Sequence, residues 1–288
     1  MTAPFAALGA GLPTVMVHRE IPLAELRDIV AGAEELGYST AWTGDHLLLG
    51  RPITDPIATI GALAASTRRI RFGTGVLLAG MREPKRLVRE VGTLVDLTGG
   101  RLVLGVGAGG DWPSEVTASG VRGRRGAALD SAIDLLRGSM GPDCPDIWVG
   151  GRSPAALHRA ATRGDGWLGY LESPRTFTAK RDALGPAVPA VVVLFTVVDR
   201  QRDADEAEHY LAVQFSGAID ALRRLAVIGP PEHVAERLNA FLRAGCRHFL
   251  LQPLTADPAR QLRLLAEQVA PMLDPVTVPV SAAPRGSL

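Results

Sequence analysis

Residues 70–107 read IRFGTGVLLAGMREPKRLVREVGTLVDLTGGRLVLGVG. Ile70–Leu78 is a short, largely apolar run that fits a strand, and Pro84–Leu97 has the spacing of a helix with one buried face. The turn Thr98-Gly99-Gly100 leads into a second strand, Arg101–Gly107. Strand, helix and strand in one stretch make the unit of a parallel sheet. The same alternation continues in both directions.

Toward the amino end lie a strand at Leu8–Leu12, a helix at Leu23–Leu36 stopped by Gly37, and a strand at Ser39–Thr43. A helix over Asp55–Thr67 follows, with Asp55 as N-cap before Pro56. Toward the carboxyl end the helix Arg124–Arg137 precedes strand Ile147–Gly150, helix Pro154–Arg163, strand Gly166–Tyr170 and helix Pro174–Leu184. Ala187–Val198, rich in β-branched residues, is the seventh strand, with helical stretches at Asp203–Leu225 and Pro231–Ala244. His248–Gln252 is the eighth strand, and Pro258–Leu273 the closing helix. Eight strands, each followed by a helix, predict an α/β protein with a single (β/α)8 TIM barrel over residues 1–274. An open doubly wound sheet is the second reading, because sequence alone does not prove closure. Pro275–Leu288, rich in Pro, Ala and Val, reads as an extended or mobile tail.

Composition agrees. The chain has 288 residues, 47% hydrophobic and 21% charged, enough for one large core and too charged for a membrane protein. A formal net charge of +1 argues against a broad nucleic-acid surface. The two cysteines, Cys144 and Cys246, have no metal-ligand spacing, so no metal site is expected. There is no signal-peptide pattern and no long uninterrupted apolar run. The expectation is a cytoplasmic protein without nucleic-acid or membrane partners.

In a parallel barrel the active site lies at the carboxyl ends of the strands. After the second strand come Asp45 and His46, suited to proton transfer. A capped loop with a satisfied histidine explains the pair equally, and for an isolated pair is the commoner case. Thr74, Gly75 and Val76 end the third strand, where small residues admit a flat ring or simply a tight barrel wall. Gly105–Trp112 spells GxGxxG in letters, but no helix starts directly after it. A glycine-lined strand end at Gly107 and Ala108, open to a planar cofactor, is the better reading. Downstream, Glu115 reads as a second carboxylate of the site or a surface residue, and alone as surface. After the fifth strand, Gly150, Gly151, Arg152 and Ser153 run into a helix begun by Pro154. Free backbone N–H groups, a hydroxyl and a cation there make an anion site, or else an ordinary N-cap. His18 and Tyr170 sit where they can face the pocket, whereas His158, His209 and His233 read as helix-surface residues.

Together these segments resemble the bacterial luciferase-like superfamily of flavin- and deazaflavin-dependent oxidoreductases. The resemblance lies in Ala33–Tyr38 with Ala41, Trp42, Asp45 and His46, and in Arg82-Glu83-Pro84 followed by Gly99–Leu102 and Leu104–Gly107. It continues through Trp148–Gly151, Gly164–Trp167 and Gly229–Val234 and spans nearly the whole chain. It implies FMN or coenzyme F420 as cofactor, a cis peptide near Gly75-Val76 against which the ring bends, and a homodimer. Asp45-His46 is similar to the deazaflavin members, in which the matching histidine moves a proton; Asp45 would then orient His46 or hold the cofactor. Ala108 and Gly50 stand where the deazaflavin sugar-phosphate dehydrogenases carry Glu and Trp, which argues against that substrate. The short Gly138–Asp146 connection replaces a long insertion, implying a more open pocket. The resulting expectation is a coenzyme F420-dependent reductase or dehydrogenase of a small organic substrate. The alternatives are an FMN-dependent monooxygenase and a cofactor-binding protein without catalysis.

Overall fold

A computed structural model describes residues 8–49, 51–110, 113–120, 124–185, 188–198, 201–214 and 219–275. The tail expected beyond Pro275, and Gly50, Asp111, Trp112 and Ala187, lie outside the described residues.

The first half runs β1 (Leu8–Gly11), α1 (Leu23–Glu35), β2 (Thr40–Thr43), α2 (Pro56–Leu63), β3 (Arg71–Thr74), α3 (Pro84–Thr98) and β4 (Leu102–Val106). Next come α4 (Pro113–Ala118), α5 (Arg125–Met140), β5 (Asp146–Gly150), α6 (Pro154–Arg163), β6 (Gly166–Tyr170) and α7 (Pro174–Leu184). The chain continues with β7 (Ala190–Val198), α8 (Gln201–Gln214), α9 (Ile219–Leu225), β8 (Val227–Gly229), α10 (Pro231–Arg243), β9 (His248–Pro253) and α11 (Pro258–Leu264).

Strands β1 to β7 pair in chain order, all parallel; β9 then joins β7 to β1, and the ring closes. That closure excludes the doubly wound sheet. The ring has eight strands and β8 is extra. It pairs with Thr196–Val198 of β7, beyond the Ala190–Val193 stretch that β6 occupies.

Local chemistry sets the element ends. Glu83 caps α3 by accepting from the amides of Lys85 and Arg86, and Gly99 ends it in the left-handed region at φ 60°. Strand side chains alternate between two cores. Leu104, Val106, Ile147, Val149, Val192, Phe249 and others face outward into the helices. Trp42, Val103, Leu168, Val191, Val193 and Leu250 fill the barrel interior, with Trp148, Val76 and Tyr170 packed against them. The inward glycines leave room for the indoles. A Cβ on Gly9 or Gly73 would stand 2.3 Å from Trp42, and one on Gly166 would stand 2.4 Å from Trp148.

The connection between α5 and β5 is a tight turn at Gly141–Asp143. It feeds the amino end of β5, where Asp146 pairs with Arg71 at the start of β3 at 2.9 Å. It therefore lies on the face opposite the carboxyl ends, and its shortness does not itself open the pocket. No helix among the described residues is long and apolar enough to cross a membrane.

Candidate active site

Asp45 and His46 leave β2 side by side and turn to different partners. Asp45 accepts from the Leu78 amide at 2.9 Å and from Arg82 at 3.1 Å. Arg82 also holds Asp55 at 2.9 Å, so the loop after β2 is tied to the segment before α3. Burial pushes the Asp45 carboxyl above the ordinary aspartate range, and Arg82 and the Leu78 amide only partly offset this. The expectation that Asp45 orients His46 is corrected: among the described residues the two share no hydrogen bond.

The carboxylate on His46 is Glu115. Its Oε1 lies 3.1 Å from His46 Nδ1 and accepts from the amides of Leu47 at 2.7 Å and Leu48 at 3.1 Å. Glu115 is 1% exposed, while the His46 side chain keeps 26% of its surface open. The surface reading of Glu115 is thus overturned. Local sequence offered no signal for it, because its meaning comes from a histidine 69 positions away. α4, the short helix that carries it, also escaped the sequence reading.

Thr74 is buried and donates its hydroxyl hydrogen to the Gly105 carbonyl at 2.7 Å. The Gly75-Val76 peptide is cis. Backbone pairing continues around it, from the Gly75 amide to Thr43 O at 2.7 Å and from the Leu77 amide to Gly105 O at 2.7 Å. The half-buried Val76 side chain straddles two glycines. A Cβ on Gly107 would stand 2.6 Å from its Cγ2, and one on Gly150 would stand 2.5 Å from its Cγ1. Val76 itself requires glycine at both places. Half-buried Ala108 follows Gly107 and packs against the main core.

Beyond Gly150, Gly151 takes φ 127° and its carbonyl accepts from Trp167 Nε1 at 2.8 Å. Ser153 caps α6 by accepting from the Ala156 amide at 3.2 Å. The Ala155 amide finds no acceptor among the described residues, and Arg152 and Ser153 are exposed beside it.

The opposite wall is aromatic. Tyr170 and Phe195 meet edge to face at 6.1 Å, and Phe195 lies 6.5 Å from Tyr210. Tyr210 lies 5.9 Å from His18, whose Nε2 faces the Leu254 carbonyl at 2.9 Å. His209 is exposed, as read from sequence, with its ring tilted against that of His18 at 5.7 Å. A surface groove lies outside the barrel between α5 and α6. It is a seam of paired charges, such as Arg159 with Asp130 at 2.6 Å, and of the site residues described above it shares Ala155.

A family model described as luciferase-like monooxygenase matches residues 5–216. Coenzyme F420-dependent glucose-6-phosphate dehydrogenase of Nakamurella multipartita is 26% identical over 87% of this chain and 92% of its own length. Other relatives match in part. An uncharacterised protein of Mycobacterium tuberculosis is 34% identical over 41% of this chain, and the match spans about half of that relative, 49%. The 4-hydroxyprotoasukamycin monooxygenase of Streptomyces nodosus subsp. asukaensis is 36% identical over 47% of this chain and 36% of its own length. Among solved structures, an F420-dependent secondary alcohol dehydrogenase in complex with an F420-acetone adduct superposes with a TM-score of 0.80. It is 16% identical, over 94% of this chain and 100% of that one, a likeness of fold.

Proposed function

The chain belongs to the luciferase-like monooxygenase family, and on that premise we propose that it is a coenzyme F420-dependent oxidoreductase acting on a small organic substrate. One observation carries the reading. An imidazole, His46, stands partly open at the strand ends, backed by a buried carboxylate. Hydride transfer at an oxygen-bearing carbon needs a proton partner at that oxygen, and His46 supplies one. The relatives that match over most of the chain, in both sequence and fold, include proteins named for F420.

The residues fit such a cofactor. Val76, seated between Gly107 and Gly150, offers an apolar ledge for a flat ring, flanked by Thr74, Gly75 and Ala108. Gly151, Arg152 and Ser153, with the open Ala155 amide, suit a phosphate at the start of α6. When bound, a deazaflavin accepts or returns a hydride; the protein orients and polarises. His46 takes or gives the proton at the substrate oxygen. Asp45 and Arg82 brace the loop that presents it. Tyr170 and Phe195 bound the substrate side and exclude water.

Calorimetric titration of the apo-protein with oxidised F420 and oxidised FMN tests the cofactor. The expected result is F420 bound at least about tenfold tighter, a difference of about 1.4 kcal/mol. Arg152→Ala weakens F420 by about tenfold, since a charge-assisted bond to phosphate contributes about 1.5–3 kcal/mol. Tighter FMN binding would reverse the assignment. The partial match to a monooxygenase favours that second reading, an FMN-dependent monooxygenase. Oxygen uptake with reduced FMN would then accompany turnover.

A further inference from the structure

We propose that Glu115 is the positioning carboxylate of His46. It fixes which imidazole nitrogen faces the reacting oxygen and balances the positive charge that arrives with the proton. The proposal rests on the role given to His46 above.

A carboxylate that is 1% exposed is costly unless its oxygens are matched by donors. Glu115 Oε1 is matched by the amides of Leu47 and Leu48 and by the His46 ring. Among the described residues, no Lys or Arg forms an ion pair with Glu115; its one ionisable partner is His46.

An ionised carboxylate only accepts hydrogen bonds. His46 Nδ1 therefore carries the hydrogen, and Nε2, which Glu115 does not touch, keeps its lone pair. The proton balance follows. Were a substrate alcohol to give up hydride from carbon to a bound deazaflavin, its O–H bond would break and the proton would pass to His46 Nε2. The imidazolium formed is neutralised by Glu115, and a carbonyl is left. In the reverse direction the imidazolium returns the proton to the carbonyl oxygen.

A second feature separates this role from that of a loop clamp. Clamping Leu47 and Leu48 needs only an oxygen that accepts from two amides, which a neutral side chain provides. Balancing an imidazolium needs the charge. Glu115→Gln therefore keeps the first function and removes the second. Glu115 also stands on α4, just past the Gly107–Gly110 stretch of the cofactor ledge. Proton chemistry and ledge are thus built on one connection of the chain.

Two measurements test this. The first is long-range nitrogen-15 NMR of the full-length apo-protein with labelled histidine, the His46 signal being assigned by its loss in His46→Asn. Wild type is expected to show Nδ1–H; finding Nε2–H in neutral His46 overturns the proposal without any variant of Glu115. The second is Glu115→Gln. It is expected to bind F420 as wild type does, with kcat about a hundredfold lower and KM little changed. Wild-type kcat in that variant would also overturn it. If the Nδ1–H form is found but neither cofactor binds, the functional reading fails while the pairing stands.

Discussion

An alanine at Gly150 would bring its Cβ to 2.5 Å from Val76 Cγ1, and one at Gly107 would bring it to 2.6 Å from Cγ2. Both clashes are with methyl groups of one side chain. Gly150→Ala is therefore expected to cost about 1–3 kcal/mol, the usual range for overpacking, and Val76→Ala in the same chain to return most of it. Urea unfolding of the two single variants and the double variant checks this; an unchanged cost in the Val76→Ala background would refute it. Gly105 differs, because its added Cβ would sit 1.9 Å from the Thr74 carbonyl oxygen, which no side-chain change relieves. At the other end of the barrel, His248 Nε2 meets Ser39 Oγ at 2.8 Å, and that hydroxyl donates to Leu8 O at 2.9 Å. Ser39 thus spends its hydrogen on the backbone and accepts from the ring. Burial, with Arg71 nearby, pulls the His248 pKa down to about 4. Because the folded value lies below the unfolded one of about 6.5, the unfolded chain binds the extra proton first. Stability is complete above pH ~6.5 and falls by up to about 3 kcal/mol as pH drops toward ~4. His248→Gln should flatten that part of the stability–pH curve, measured by urea unfolding across the same range.

At the scale of elements, β7 is finished by a side chain. Gln261 of α11 is fully buried, accepts from the Val198 amide at 2.8 Å and donates to the Val198 carbonyl at 3.1 Å. Gln261→Leu keeps the volume and orphans both groups, so a loss of about 2–6 kcal/mol in unfolding free energy is expected, at about 1–3 kcal/mol per buried group. Elements with strong chemical starts and stops were legible in the sequence. α6 and α7, each opened by a serine cap and proline, and β6 between them fall where the pattern put them. Others were not. β8 is three residues long, too short for any period to show. β3 was read through to Leu78, but its regular pairing ends at Thr74, just before the cis peptide. The closing helix, read as continuous to Leu273, gives way after Leu264 to a wider π turn over Leu265–Val269 and a tight turn over Ala270–Met272. The site divides in the same manner. His46, Val76 and Ser153 could be named as candidates because strand ends and helix starts mark themselves. The bonds from Glu115 to His46 and from Asp45 to Arg82 were not legible, because they join chain segments 69 and 37 positions apart.

At the scale of the whole molecule, closure of the ring leaves its eight strands without a free edge. The candidate site draws on the carboxyl ends of β2, β3, β4 and β5, so a ligand held there links segments from Asp45 to Ser153. A cofactor that binds only this closed form should stabilise all of it, by about 2.7 kcal/mol at a hundredfold excess over Kd. Thermal unfolding should accordingly rise by several degrees with saturating F420 and by less with equimolar FMN. Equal shifts would argue against the cofactor preference. The barrel interior adds a property of another kind. Trp42 and Trp148 lie within the same cluster as Val76, directly inside the strands that form the ledge. Indole emission overlaps the light that flavins and deazaflavins absorb. A ring settling on Val76 would therefore draw excitation from the buried Trp42 and the half-buried Trp148, and the protein's own ultraviolet glow would dim as the mouth fills and brighten as it empties.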